Sequence, residues 1–523
     1  MIYLRKLQNR QRRYNTSKEG SITIFLTLTL VLILSFLFSM AEAARVNGLQ
    51  ELTAQKLKLE MESLFGAYNR ELWEHYGLLF LDGSYGNGEL NMKRMEQHLM
   101  EADYSGGEEV HFYQMALKDA EIEKYALATD WEGAEFRRQA CAAAKEQLTE
   151  EGVDYLKDQL LKGQELAQDS DHLEEKWEKA LEAEEEAEKY KEEAQKESGE
   201  ESGKSENKET GEVGESEDKE AEDGAGTQED VLPENPIAYV TKLKASPLLT
   251  LVLENPSKLS SKGIDRSYSL DNRTLFCGNM AEKQSGSVDK LWFVQYLNQY
   301  FTCGTDESIE KHALDYELEY CIAGKETDAE NLEAVVKRLL LLREAANFAT
   351  IMQDNEKRTL ASGIALAAVG FTGLPPLIKM VEGGILLAWC YIESILDVRC
   401  LLAGGKVSLI KDTFQWKSDL YKVQDEVAEK TGITEEKGLE YREYLQILLF
   451  ITGQEKLAYR AMDVVERNIQ LLSGNEKMRM DDMVSAIRVN AVYSAKPLFF
   501  NLMPMQYKMN GSYHFLEAES LSY

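Results

Sequence analysis

From Ser21 to Ala41 the chain reads SITIFLTLTLVLILSFLFSMA, without a single charged side chain. At a rise of ~1.5 Å per residue this stretch makes ~31 Å of helix, which matches the ~30 Å hydrocarbon core of a bilayer. A core helix of a soluble protein would carry a polar stripe, and only Thr and Ser are offered here. Upstream lie Arg5, Lys6, Arg10, Arg12, Arg13 and Lys18 against one acid, Glu19. The positive-inside rule therefore keeps the first twenty residues in the cytoplasm and exports everything after Ala41.

Three fates are open to such a segment. Ala41-Glu42-Ala43 fits the small-x-small pattern of signal-peptide cleavage, but export signals carry an apolar run of roughly 7–15 residues and this one is longer. A retained anchor fits better. The third fate is set by Gly20 and Ser21. A basic leader ending in Gly, then a small residue and a long apolar helix, resembles the N-terminus of type IV prepilins. Within these it looks most like the minor, TadE/TadG-like proteins of tight-adherence (Tad/Flp) pilus loci. Phe25 stands where such prepilins carry Glu, so incorporation as a major pilus subunit is not expected. The candidate processing residues are Gly20 and Ser21, with Ala41 and Ala43 as the alternative.

Further segments carry a second resemblance: YNRELWEHYGLLFLD (Tyr68–Asp82), LDYELEYCIAGKETDAENLEAVVKRLLLLREAANF (Leu314–Phe348) and YIESILDVRCLLAGGKVSLIKD (Tyr391–Asp412). With the apolar helix, they are similar to an uncharacterised family encoded beside Tad-like pilus and type II/IV secretion-like genes in anaerobic Gram-positive bacteria. The resemblance implies a membrane-anchored extracytoplasmic protein and brings no activity with it.

Charge is concentrated in one place. Residues 165–230 hold 27 acids against 8 lysines, more than half of the net −32. No basic footprint exists outside the leader, which disfavours a nucleic-acid partner. Residues 174–197 carry Glu-to-Lys pairs at i,i+4, each worth only ~0.2–0.5 kcal/mol. Without a sustained apolar seam they read as a solvated single helix. Ser198–Asp230, dominated by Gly, Ser and Glu, is expected to be disordered.

The remaining pattern is mainly helical. Ala43–Tyr76 continues the apolar helix with Leu57, Met61, Leu64 and Tyr68 at helical spacing. Glu135–Lys162, Asn331–Phe348, Tyr441–Thr452 and Tyr459–Leu472 read as helices as well. Leu360–Ile378 and Ile385–Leu402 are apolar, yet Glu393, Asp397 and Arg399 would each cost ~2.5–3.5 kcal/mol at a bilayer centre. Both read as core helices, with a second membrane hairpin as the alternative. His111–Thr129, Met483–Phe500 and the C-terminal GSYHFLEAESLSY read as strands, as does LDYELEY by its alternation of apolar and acidic residues. They would form one modest antiparallel sheet drawn from both halves of the chain.

The fold class is thus α+β, mainly helical: one N-terminal transmembrane helix continuing into an extracytoplasmic helical domain with a small antiparallel sheet. Its divisions are a cytoplasmic leader (1–20), the span (21–41), an N-terminal ectodomain part (42–163), an acidic helix and linker (164–232), and a C-terminal ectodomain part (233–523).

Catalytic signals are weak. Glu317 and Glu319 on one strand face would stand ~6.6–7 Å apart, near an inverting glycosidase pair. A solvated acidic face explains the same residues without catalysis and is the preferred reading. The Gly-rich turn Leu81–Leu90 has Gly86 and Asn87 out of place for a calcium loop. His75, His98, His111, His172, His312 and His514 fall at no metal-ligand spacing, and the six cysteines form no C-x-x-C pair. They read as unpaired small apolar residues. No phosphate-binding, dinucleotide or nucleophile-elbow motif occurs. The expectation is a non-catalytic structural or assembly component without cofactor, metal or small-molecule ligand. Its partners would be the membrane and other pilin-like or secretion-system subunits. A membrane-anchored wall-polymer hydrolase and a secreted, signal-cleaved protein are the alternatives.

Overall fold

The computed structural model describes residues 2–101, 112–145, 150–201, 235–281, 289–308, 312–422, 427–428, 437–499, 508–509 and 511–523. Two compact units emerge. The first comprises Met1–Gln139, Thr274–Ser285 and Leu472–Tyr523; the second comprises Ala140–Arg273 and Gly286–Leu471. The expected disordered stretch at Ser198–Asp230 lies, beyond Glu201, outside the described residues.

In the first unit, α1 runs from Ile2 to Phe65. Its C-terminal half buries Leu49, Leu57, Met61 and Leu64, the spacing that puts side chains on one helical face. The helix stops at Phe65, short of the expected Tyr76. After the break, α2 (Arg70–Tyr76) restarts where the Asn69 side chain accepts the Leu72 N–H at 3.1 Å. There follow β1 (Leu81–Asp82), α3 (Met92–Glu101) and β2 (Ala116–Leu127), and near the C-terminus β3 (Met483–Ala495), β4 (Lys508–Met509) and β5 (Ser512–Ser522).

These strands form one antiparallel sheet, as expected from both ends of the sequence. β3 is its centre: β2 runs along one edge, from Ala116 opposite Ser494 to Leu127 opposite Val484. β5 runs along the other, from Ala486 opposite Ser522 to Ala495 opposite Tyr513. The period-two pattern decides the facing of β3, with Ile487, Val489, Ala491 and Tyr493 buried and Arg488, Asn490, Val492 and Ser494 less so. The buried set packs with α1 and with Met95 and Leu99 of α3 in one core. Polar groups at its margin are paired: the Tyr493 hydroxyl donates to Glu60 at 2.7 Å and the Thr53 hydroxyl to Glu517 at 2.8 Å. In the Gly-rich turn the Asp82 carboxylate accepts from Ser84 N, Ser84 Oγ and Gly86 N within 2.8 Å, so its own loop consumes it.

The second unit is helical. After α4 (Asp130–Lys145) come α5 (Glu150–Glu201), α6 (Pro236–Lys244), α7 (Leu248–Val252), α8 (Asp289–Tyr300), α9 (Glu317–Ala323) and α10 (Asp328–Ile351). The unit ends with α11 (Asn355–Val369), α12 (Pro375–Leu402), α13 (Tyr441–Ile451) and α14 (Gln454–Gln470). α10 opens on a capping box between Thr327 and Glu330 and buries Leu332, Val335, Val336, Leu339 and Leu342 as expected. α12 is a core helix, buried almost throughout Gly384–Leu401. Its charges have partners. Arg343 of α10 meets Asp397 at 2.9 Å, and Lys411 contacts both Asp397 and Glu393, all four fully buried. Burial alone would raise Asp397, but Arg343 and Lys411 outweigh it and hold the carboxyl below its ordinary range. Arg399 donates to the Leu251 and Val427 carbonyls at 2.7 and 2.8 Å.

Two expectations are corrected here. α5 is not a solvated single helix: Leu160, Gly163, Leu166, Ser170, Leu173, Trp177, Ala180, Ala183 and Ala187 are buried, against α10, α12 and α13. The seam was hidden because half of it is Gly, Ser and Ala, whose contribution is closeness rather than apolar bulk. A Cβ on Gly163 would stand 2.3 Å from Ile447, and one on Gly384 of α12 only 2.6 Å from Ala180. The second correction concerns LDYELEY, which is no strand. Leu314–Tyr316 lead into α9, which ends at Gly324 with φ +67°. Glu317, Leu318, Glu319, Tyr320, Cys321 and Ile322 are all buried, and a short helix covered on every side shows no 3.6-residue period.

Candidate functional site

The feature that calls first for a functional account is the N-terminal half of α1. From Ile22 to Met40 its large apolar side chains are exposed all round, between 41% for Phe38 and 69% for Leu32. Such a continuous apolar surface belongs to a segment meant for an apolar surrounding. Among the described residues this is the one helix long and apolar enough to cross a membrane. Gly20 and Ser21 lie within the same helix, and so do Ala41 and Ala43.

Between Ala41 and Ala43 the character of the helix changes within one residue. Glu42 is fully buried, paired with Arg45 at 3.1 Å, and accepts the Leu498 and Phe499 N–H groups at 3.1–3.3 Å. Arg45 also donates to the Phe112 carbonyl, and Phe38 stacks on Phe499 at 5.1 Å. The chain leaves its apolar segment directly into a set of fixed contacts with the folded unit, with no linker between them.

The second candidate is the carboxylate pair. In a helix, residues at i and i+2 do not face each other, so the two carboxylates do not share one face as they would on a strand. Nor is this a solvated face, since Glu317 and Glu319 are both fully buried. Glu317 accepts Thr302 N–H at 2.9 Å and the Asn468 side-chain amide at 2.6 Å, and lies 2.7 Å from His312 Nδ1. Glu319 accepts Gly304 N–H at 2.8 Å and the Tyr441 hydroxyl at 2.9 Å through one oxygen. Its other oxygen, Oε2, is buried with no hydrogen-bond partner among the described residues. Burial pushes the Glu319 carboxyl up to about 7.

One residue along, the Tyr320 hydroxyl donates to Asp463 of α14 at 3.0 Å, and Leu270 N–H donates to the same carboxylate at 2.8 Å. Burial pushes Asp463 to about 7 as well. Three carboxylates thus fasten α9 to the 302–304 loop, α13 and α14. None of the three lines any of the cavities described in this unit; Gly304 and Tyr316 beside them border one of about 300 Å³. Cys303 is no nucleophile in waiting, because burial and then Glu319 push its thiol up to about 12. No two of the six cysteines are joined in a disulfide; Cys277 is exposed and the others are buried. Among the described residues no group of three His, Cys, Asp or Glu is placed to hold a metal ion.

Sequence reasoning singled out Glu317 and Glu319 and missed their partners. Asn468, Tyr441 and Asp463 lie 122–151 residues away from the α9 residues they bind, and no local spacing announces such contacts.

No curated protein and no solved structure matches this chain. The profile of a family of unknown function, DUF5702, matches residues 226–495, a range that contains α6 to α14 and the central strand β3. With more than half of its 523 residues under that match, the chain belongs to this family.

Proposed function

We propose that this chain is a single-pass membrane protein, with a cytoplasmic N-terminus and an extracytoplasmic bulk, serving as a non-catalytic structural or assembly component of a Tad-like pilus or secretion apparatus. One observation carries the anchor: the exposed apolar helix continues unbroken through Ala41 and Ala43 into a unit that buries Glu42. Cleavage at that point would require unwinding the helix and stripping a buried carboxylate of its partners, which is costly. The orientation follows from the basic leader. The apolar helix acts laterally, held in the bilayer and packing against other pilin-like helices, while the folded units present docking surfaces outside. A non-catalytic role is supported by carboxylates that are spent on fastening α9.

Membrane fractionation followed by N-terminal sequencing tests the reading. The mature chain should sediment with membranes and retain its apolar helix. Ala43→Arg should leave processing unchanged, and Gly20→Arg should block any prepilin-type trimming without releasing the protein. A mature chain beginning at Ala44 in the medium would overturn the anchor. A folded Glu317→Gln/Glu319→Gln variant that had lost a wall-lytic activity would overturn the non-catalytic role.

A further inference from the structure

Within the second unit a cavity of about 450 Å³ opens among α5, α10, α11 and α12, inside the ~300–1,000 Å³ range of ligand pockets. Its charge is opposite to that of the chain. Lys176, Lys179, Arg358 and Lys379 line it against one carboxylate, Glu382, in a protein of net charge −32. Lys179 is held by Glu175 at 2.7 Å, and the Lys176 ammonium sits 4.6 Å from the centre of the Phe348 ring. Arg358 and Lys379 have no carboxylate partner among the described residues.

The walls are apolar and partly uncovered: Phe348, Leu386 and Leu387 lie inside, with Met352 and Met380 41% and 37% exposed. A helical glycine, Gly383, faces the space, and a Cβ built there meets nothing within 4 Å. Glycine inside a helix is a cost. Here, unlike at Gly384 one residue on, no close neighbour requires it. A large side chain at Gly383 would project into the cavity.

We propose that this cavity binds a phosphate-headed, single-chain anionic amphiphile, with the phosphate between Arg358 and Lys379 and the alkyl chain over Gly383, Phe348 and Met352. A guanidinium beside an ammonium suits a phosphate dianion through charge-assisted hydrogen bonds. The apolar floor suits an alkyl chain, which brings no polar group to be satisfied; an acidic peptide would lay unpaired backbone amides on it. The site lies wholly within one unit and does not depend on the orientation of the anchor.

The test is calorimetric titration of the full chain in dodecyl maltoside with 1-oleoyl lysophosphatidate, with monooleoylglycerol and inorganic phosphate as separate arms. Lysophosphatidate should bind saturably at one per chain, and each control should bind about tenfold more weakly or not at all. Arg358→Glu/Lys379→Glu should weaken binding by about tenfold or more. Gly383→Phe, which fills vacant space, should do the same while far-UV circular dichroism stays unchanged. Removing two of the six leader cations with Arg12→Gln/Arg13→Gln should leave the affinity intact. The proposal is overturned if lysophosphatidate does not saturate, if inorganic phosphate binds as tightly, or if the Arg358/Lys379 variant binds like the parent.

Discussion

Replacing Glu319 by Gln isolates a stability term that should change with pH in a fixed direction. The carboxyl is fully buried and held at about 7, against an ordinary 4.5. Below pH 4.5 the acid is neutral in folded and unfolded chains alike, and the raised value has no effect. Above it the unfolded chain releases the proton while the folded chain keeps it, so stability falls as pH rises and the loss is complete above about 7. A displacement of that size is worth about 3 kcal/mol. Glutamine has the same shape, can accept from Gly304 and Tyr441, and does not titrate. The stability of Glu319→Gln relative to the parent should therefore rise by about 3 kcal/mol between pH 4.5 and 7.5. The assay is urea unfolding of the full chain in maltoside micelles, followed by tryptophan emission. Trp177, Trp292, Trp389 and Trp416, four of the six tryptophans, report on the second unit. Asp463→Asn should shift in the same direction, since Asp463 is raised for the same reason. Parallel pH curves for parent and Glu319→Gln would refute the argument, because the carboxylate would then be ionised in the fold at no cost.

Two glycines should answer oppositely to one substitution. Gly383→Ala, into open space, should stabilise by about 0.5–1 kcal/mol, whereas Gly163→Ala, 2.3 Å from Ile447, should lose about 1–3 kcal/mol to overpacking and end net destabilised; thermal unfolding of the two variants checks the signs. Arg343→Met removes one partner from a fully buried ion pair and should cost about 3–5 kcal/mol in urea unfolding. The triple variant Glu393→Leu/Asp397→Leu/Arg399→Leu should let α12 enter the membrane. A cysteine-accessibility label placed after Gln470 would read that change as a reversed C-terminal side.

What the sequence makes legible depends on whether a signal is local. The signals of the apolar helix and of the strand at Met483–Phe500 are complete within a few residues, and both elements appear, the strand as far as Ala495. α9 and α5 fail for opposite reasons. α9 is buried on all sides, which erases the helical period and leaves an alternation that mimics a strand; the one local hint of a helix end was Gly324. α5 has a buried face at three- and four-residue spacing, but Gly163, Ser170, Ala180, Ala183 and Ala187 carry too little apolar surface to show against the 20 acids of that helix. The clamp around Glu317 and Glu319 was half legible. The carboxylates were visible as residues, while their burial is decided by loops and helices more than a hundred residues away. The basic cavity was not legible at all, since its four cations come from three helices and none is unusual in its own segment.

The charges of α12 show how one set of residues can serve two environments. Ile385–Leu402 is rich in apolar residues, and on the proposed topology a chain exported behind its apolar helix must keep this second segment out of the bilayer. Glu393, Asp397 and Arg399 each oppose insertion by ~2.5–3.5 kcal/mol, together more than the apolar residues around them readily offset. In the folded unit the same charges are buried, and a bare charge in the core would be strongly destabilising. The fold resolves the conflict by bringing countercharges from elsewhere in the sequence. Arg343 arrives from α10 and Lys411 from the segment after α12, so that two cations meet two carboxylates in full burial. Arg399 is met by the carbonyls of Leu251 and Val427 instead. Replacing the network with leucines could leave the packed unit as stable or more so. On the proposed topology, what would be lost is the charge that opposes entry of α12 into lipid, so the network would act on topology before it acts on stability.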